Sequence, residues 1–303
     1  MPMITPAYLQ PGDTIGIVCP AGYMPASTVQ TCVEVLTQWG YKVLQGTTVG
    51  GNSGTYFSGT DDERRLDLQR MLDDPSVKAI LCGRGGYGTG RIIDQLDFTH
   101  FKNHPKWIIG YSDITILHAH IHQHYGIITL HAPMAAAFNN EGWKNEYVQS
   151  LREALQGITS ACAGPEHPFN RLGLASGQLV GGNLALLAHL VGTPSDLDTD
   201  EKILFIEDVG EQLYNIDRML YQYKRSGKLK QLAGLIVGGF TECKDTERPF
   251  GQSAQEIIRD IVAAYDYPVC FDFPVSHTDR NYALKVGAVY ELKVDSTGSL
   301  LAE

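Results

Sequence analysis

Trp107-Ile108-Ile109-Gly110-Tyr111-Ser112-Asp113-Ile114-Thr115 is an apolar run that stops at a glycine and gives way to a polar turn. It predicts a buried strand that runs straight into a helix, with Ser112 at the turn. The same alternation continues on both sides. Thr14 to Cys19 predicts a buried strand ended by Pro20-Ala21-Gly22. Ala26 to Trp39 carries helical spacing at Val29, Val33, Leu36 and Trp39, and Tyr41 to Leu44 is a short strand. Thr60 and Glu63 form a capping-box pattern ahead of Leu66, Leu68, Met71 and Leu72. Val77 to Cys82 is a strand closed by the glycine loop Gly83 to Gly90, and Ile127 to Leu130 is one more. Strands alternating with helices predict an α/β fold with a parallel sheet, whose ligands sit outside the carboxyl ends of the strands.

The pattern changes after about residue 138. Glu146 to Gln156 reads as a helix, and Ala163 to Leu174, rich in Pro, Gly and Ala, reads as irregular. The expected division is a first domain over 1–145 and a second over 146–303. At about 150 residues per domain, two domains suit a chain of 303 residues. Strands are expected at Gln178–Val180, Ile203–Ile206, Leu235–Val237 and Val269–Phe271. Helices are expected at Asn183–Leu190, Tyr214–Arg225 and Gln255–Ala264, and a hairpin closes the chain from Ala288 to Leu301.

Composition narrows the function. Hydrophobic residues at 43% and charged residues at 19% exclude disordered and fibrous classes. A net charge of −10 argues against nucleic acid and anionic membrane surfaces as partners. The start, Met1 to Asp13, lacks the basic and apolar regions of a signal peptide, and no run of about 20 apolar residues occurs. The six cysteines are scattered without a CxxC pair, which predicts reduced thiols and an intracellular, cytoplasmic protein.

Five stretches could carry chemistry. Ser112, between strand and helix, suits a nucleophile elbow, with the following N–H placed to stabilise negative charge; the plainer reading is a helix N-cap. Gly83, Gly85 and Gly88 satisfy GxGxxG after a strand and before a helix. The loop therefore suits either a nucleotide-binding module or an oxyanion hole. Glu207-Asp208 follows an apolar strand and could orient a histidine, with Glu211 and Asp217 as nearby competitors. His277 lies in a polar loop after a buried strand and is a plausible general base. His118, His120, His122 and His124 include i,i+4 pairs with metal-ligand spacing. No glutamate takes the HExxH position and no third ligand is evident, so neither metal nor cofactor is expected.

Cys19-Pro20-Ala21-Gly22, the Gly83–Gly88 loop, Ile108 to Thr115, Leu130 to Met134, Gly181 to Pro194, Leu204 to Leu220 and Ser276 to Asn281 occur together and in order. In this the chain resembles the serine LD-carboxypeptidases, the family that also holds the microcin C self-immunity peptidases. The resemblance implies a flavodoxin-like amino-terminal domain, a smaller β-rich carboxy-terminal domain and a homodimer. It implies Ser112 as nucleophile, Glu207 as triad acid and His277 as base. The backbone N–H of Asp113, with that of Gly85 or Gly86, would form the oxyanion hole. Arg84 is a substrate-carboxylate candidate by position. The pattern departs from the family at Ser276 and Leu284-Lys285. The implied activity is release of terminal D-alanine from peptidoglycan tetrapeptides, a small peptide substrate, in murein recycling. The alternative within the family is hydrolysis of a peptidyl- or aminoacyl-nucleotide amide, for which Trp107 or Trp143 could face an adenine ring.

Overall fold

The computed structural model describes residues 3–51 and 54–303; Met1 and Pro2, part of the segment read above for a signal peptide, lie outside them. Contacts divide the chain into two units, 1–158 with 282–285, and 159–281 with 286–303. Glu146 to Gln156, which the sequence placed in the second domain, therefore belongs to the first.

The first unit contains β1 (Thr14–Val18), α1 (Ala26–Gln38), β2 (Lys42–Gln45), α2 (Asp61–Asp73), β3 (Val77–Cys82), α3 (Thr99–Asn103) and β4 (Trp107–Gly110). It continues with α4 (Thr115–Tyr125), β5 (Thr129–His131) and α5 (Glu146–Gln156). β2, β1, β3, β4 and β5 pair in that order, all in parallel. The order 2-1-3-4-5 is the flavodoxin-like one, whose switch point lies between β1 and β3. The central strands are buried along almost their whole length, as expected of a parallel sheet covered on both faces. α5 buries Val148, Leu151, Ala154 and Leu155 on one stripe.

The second unit contains β6 (Ala161–Gly164), β7 (Gly173–Asn183), α6 (Leu184–Leu190), β8 (Ile203–Val209), α7 (Leu213–Arg225), β9 (Gly234–Thr241), α8 (Ala254–Val262) and β10 (Val269–Cys270). After β11 (Leu284–Val286), which joins the edge of the first sheet beside β5, come β12 (Val289–Asp295) and β13 (Gly298–Ala302). The second sheet runs β10-β9-β8-β7-β12-β13-β6. Its first four strands are parallel and linked by α6, α7 and α8. The rest are antiparallel, and the expected closing hairpin is β12–β13.

Two expectations are corrected. Ala163 to Leu174 is not wholly irregular: it overlaps β6 and the start of β7. β6 is an edge strand, and the start of β7, paired with β12, alternates half-buried with exposed residues and leaves Leu174 largely exposed, so no buried apolar run announces them. The glycine loop does not open an α-helix; it continues into two single 3-10 turns, Thr89–Arg91 and Ile93–Gln95.

β8 sits inside its sheet, and Ile203 to Ile206 are buried on both faces. Phe205→Ala is expected to cost about 3–5 kcal/mol in urea unfolding. A loss under about 1 kcal/mol would mean that the surroundings collapse around the deletion and that β8 is loosely packed.

Candidate active site

In the first unit, β4 delivers Ser112 at a strained turn. Ser112 has φ +63°, a left-handed conformation that costs a side-chain-bearing residue on the order of 1–2 kcal/mol. It begins a 3-10 turn (Ser112–Ile114) that leads into α4. No side chain caps either the turn or α4, so the N-cap reading of Ser112 is set aside. Strain at a half-buried serine between strand and helix suits a nucleophile elbow.

The neighbouring side chains hold this turn. Asp113 is fully buried, and its Oδ2 accepts a 2.8 Å hydrogen bond from the N–H of Thr89, at the end of the glycine loop. His118 is buried on α4 with its Nε2 2.8 Å from the carbonyl oxygen of Gly110, and burial pushes its pKa down to about 4. His120 packs on Phe98 and His124, and burial with the His124 charge takes it down to about 4. These rings are core and packing groups. Among the described residues, no group of three His, Cys, Asp or Glu is arranged to hold a metal ion.

The structure distinguishes the two loop glycines by what they touch. A Cβ added to Gly85 would come within 3.0 Å of the Ser112 Cβ and 3.2 Å of its Oγ, whereas one on Gly86 would meet the Tyr56 hydroxyl at 2.7 Å. Gly85 therefore lies directly against Ser112, and its missing side chain permits that approach. With no α-helix opening behind the loop, the phosphate cradle of a dinucleotide site is missing its second part. Arg84 is exposed and its guanidinium donates to the Tyr23 carbonyl at 2.5 Å. It also borders a cavity of about 260 Å³ with Met24, Tyr111 and Met134. Trp107 is fully buried, with its Nε1 donating to the Ala7 carbonyl, and is core.

In the second unit, β8 delivers Glu207, which is 0% exposed. Its Oε2 lies 2.5 Å from His277 Nδ1. Adjacent strand residues point to opposite faces, and the pair divides accordingly. Asp208 accepts from Asn183 Nδ2 at 2.8 Å and from the Ala185 N–H at 2.9 Å, at the start of α6. Burial raises its pKa to about 6. Glu211 accepts from Asn215 at 3.0 Å.

The His277 loop is fixed by groups the sequence reading did not single out. Ile206 pairs with Val237 and Asp208 with Phe240, so two β9 residues, Gly238 and Gly239, face Glu207. This is a β-bulge of the kind found beside active sites. A Cβ on Gly238 would sit 2.2 Å from the Val275 oxygen, and one on Gly239 2.6 Å from Ser276 Cβ. The adjacent glycines thus let the histidine loop lie on the strand. A glycine pair inside an apolar run was the signal available in the sequence. Ser276, at the departure from the family pattern, ties the loop together: its Oγ bonds Thr278 Oγ1 at 2.6 Å and the Arg280 carbonyl at 3.0 Å.

Residues 15–132 match the family described as LD-carboxypeptidase N-terminal domain, and residues 176–292 the LD-carboxypeptidase C-terminal domain. The chain belongs to the LD-carboxypeptidase family. A probable murein peptide carboxypeptidase of Bacillus subtilis is 39% identical over 290 residues, 93% of this chain and 89% of that protein. The crystal structure of a muramoyltetrapeptide carboxypeptidase from Oxalobacter formigenes superimposes with TM-score 0.86 at 29% identity, covering 95% of this chain and 98% of that one. A structure of the microcin C7 self-immunity protein MccF with aspartyl sulfamoyl adenosine has TM-score 0.85 at 23% identity, covers 98% of each chain, and shows a shared fold. Membership makes the chain a serine-type carboxypeptidase, a hydrolase.

Burial disfavours the imidazolium of His277, but the hydrogen bond and charge of Glu207, with the charges of Asp208 and Glu242, outweigh it and raise the pKa above 6.5. The pair's contribution to stability is therefore present below pH 6.5 and is lost as pH rises through the raised value. NMR titration of His277 should give a midpoint above 6.5 in the parent and below 6.5 in Glu207→Gln, where burial persists without the charge. An unchanged midpoint in the variant would show that Glu207 does not set the ionisation.

Proposed function

We propose that this carboxypeptidase releases the terminal D-alanine from murein tetrapeptides, in the cytoplasm and as a homodimer, as a step of murein recycling. Ser112 is the nucleophile, His277 the general base and Glu207 the acid that orients it. The observation that carries the reading is the 2.5 Å pairing of a fully buried carboxylate with His277 Nδ1. It fixes the tautomer that leaves Nε2 able to accept a proton, and stabilises the imidazolium that results. The strained Ser112 turn with Gly85 against it supports the other half of the assignment. The named murein and muramoyltetrapeptide relatives support the substrate. Among the described residues, no helix is long and apolar enough to cross a membrane.

The steps follow from these groups. Ser112 Oγ attacks the scissile carbonyl as its proton passes to His277 Nε2. The N–H groups of Asp113 and Gly85 or Gly86 donate hydrogen bonds to the developing oxyanion; losing one such donor typically costs about 10²–10³ in turnover. The C–N bond then breaks, and the imidazolium gives its proton to the leaving D-alanine amine. Water, deprotonated by the same imidazole, releases the acyl group from Ser112. Attack requires neutral imidazole, so turnover rises with pH on a limb above 6.5.

The test is D-alanine release from a murein tetrapeptide, with an aminoacyl-sulfamoyl adenosine as the competing substrate. The parent should cleave the tetrapeptide in preference. Ser112→Ala should keep the parent's circular dichroism and lose turnover by about 10³-fold or more. Release at the parent rate by Ser112→Ala would defeat the nucleophile assignment, and preferential cleavage of the adenosine compound would defeat the substrate.

A further inference from the structure

Arg64, in the first turn of α2, is 0% exposed, although it sits in the charge-rich run Asp61-Asp62-Glu63-Arg64-Arg65. Such burial needs partners for every donor. Its Nη1 donates to the Pro20 carbonyl at 2.5 Å and to the Gly88 carbonyl at 3.0 Å, and its Nε to the Gly59 carbonyl at 3.3 Å. Its Nη2 pairs with Asp61, and the Phe57 ring lies 4.8 Å from the guanidinium carbon. Thr60 and Glu63 cap the helix on either side of this turn and fix the base of the side chain.

The two carbonyls at Nη1 belong to the loops after β1 and β3, the strands that flank the topological switch point. Several hydrogen bonds hold the glycine loop, four of them bearing on its position against the β1 loop and the serine turn. The Gly83 N–H donates to Val18 O at 2.8 Å, and the Gly85 carbonyl accepts from the Gly22 N–H at 3.0 Å. The Gly88 carbonyl accepts from Arg64, and the Thr89 N–H donates to Asp113. The first two and the last are local or pairwise ties. Arg64 joins the β1 loop, at Pro20, to the far end of the β3 loop, at Gly88, one residue before the tie to the Ser112 turn.

We propose that Arg64 is a positioning residue for the hydrolytic reaction: its planar fork locks the Pro20 and Gly88 loops together and so holds the Gly85 backbone at the distance from Ser112 that oxyanion stabilisation needs. The proposal rests on the reading of the glycine loop as the oxyanion hole. A lysine would keep the charge but lose the fork that serves several acceptors in one plane. The oxyanion is bound only after attack, so a loosened loop lowers kcat and leaves KM largely alone.

Two rates test it on the folded protein: D-alanine release from a murein tetrapeptide, and labelling of Ser112 by a fluorophosphonate, in which the Oγ–P bond forms as fluoride leaves. For Arg64→Lys we expect kcat to fall by about 10–100-fold with KM within about threefold, and labelling to slow by a similar factor. For Arg64→Ala we expect partial recovery of both rates with millimolar methylguanidinium. A folded Arg64→Lys with parent kcat, a change confined to KM, or activity that merely tracks the unfolded fraction would overturn the proposal. Where Arg64→Lys does not fold, Asp61→Asn takes its place. This change releases one anchor of the guanidinium and should slow labelling by about threefold; a parent rate overturns the proposal. A parent that is labelled but releases no D-alanine refutes the tetrapeptide reading and leaves the Arg64 test standing on the labelling rates. A parent that is not labelled at all refutes both.

Discussion

A carboxylate with no exposure to water is stable only if something beside it answers its charge. For Glu207 that partner is His277, at 2.5 Å. Much of the second unit's architecture serves this contact. β8 carries the carboxylate out of a sheet buried on both faces. The β9 bulge at Gly238-Gly239 opens room opposite it, and Ser276 closes the histidine loop on itself. The neighbouring Asp208 faces the other way and anchors the start of α6. The same pair of acids thus supplies one group that governs an imidazole and one that holds a helix.

The first unit meets a different constraint. Ser112 is held in a left-handed conformation, and the surroundings must hold it there without help from a helix cap. The buried Asp113 carboxylate, the His118 ring on the Gly110 carbonyl and the glycine loop ties provide that hold. The result is a hydroxyl presented at the carboxyl end of β4 with bare backbone against it. Polar groups that look like candidate ligands in the sequence, His118 above all, are spent on this scaffolding.

Legibility in the sequence followed how local each signal was. The parallel sheet was readable because β1, β3 and β4 are continuous apolar runs ended by glycine turns. The serine turn was visible, but its choice between cap and elbow depends on φ at one residue, which no spacing encodes. Glu207 and Asp208 are indistinguishable as letters; strand parity separates them only once the direction of the histidine loop is known. Arg64 was hidden because a charged run at a helix start normally faces water, and its burial depends on loops 44 and 24 residues away. β6 and the start of β7 escaped because short strand segments with one wet face and few large apolar residues carry little apolar pattern. The return of β11 to the first sheet escaped because three residues are too few to show a period.

The proposed mechanism has Ser112 and His277 acting in a single proton transfer. A double-mutant cycle on D-alanine release tests this most directly, with Ser112→Ala, His277→Ala and the combined variant measured against the parent. Groups that act in a single step cannot each be lost twice, so the combined variant should be within about twofold of Ser112→Ala alone. If the two losses instead multiply, the residues act independently and the account of a shared proton transfer is wrong.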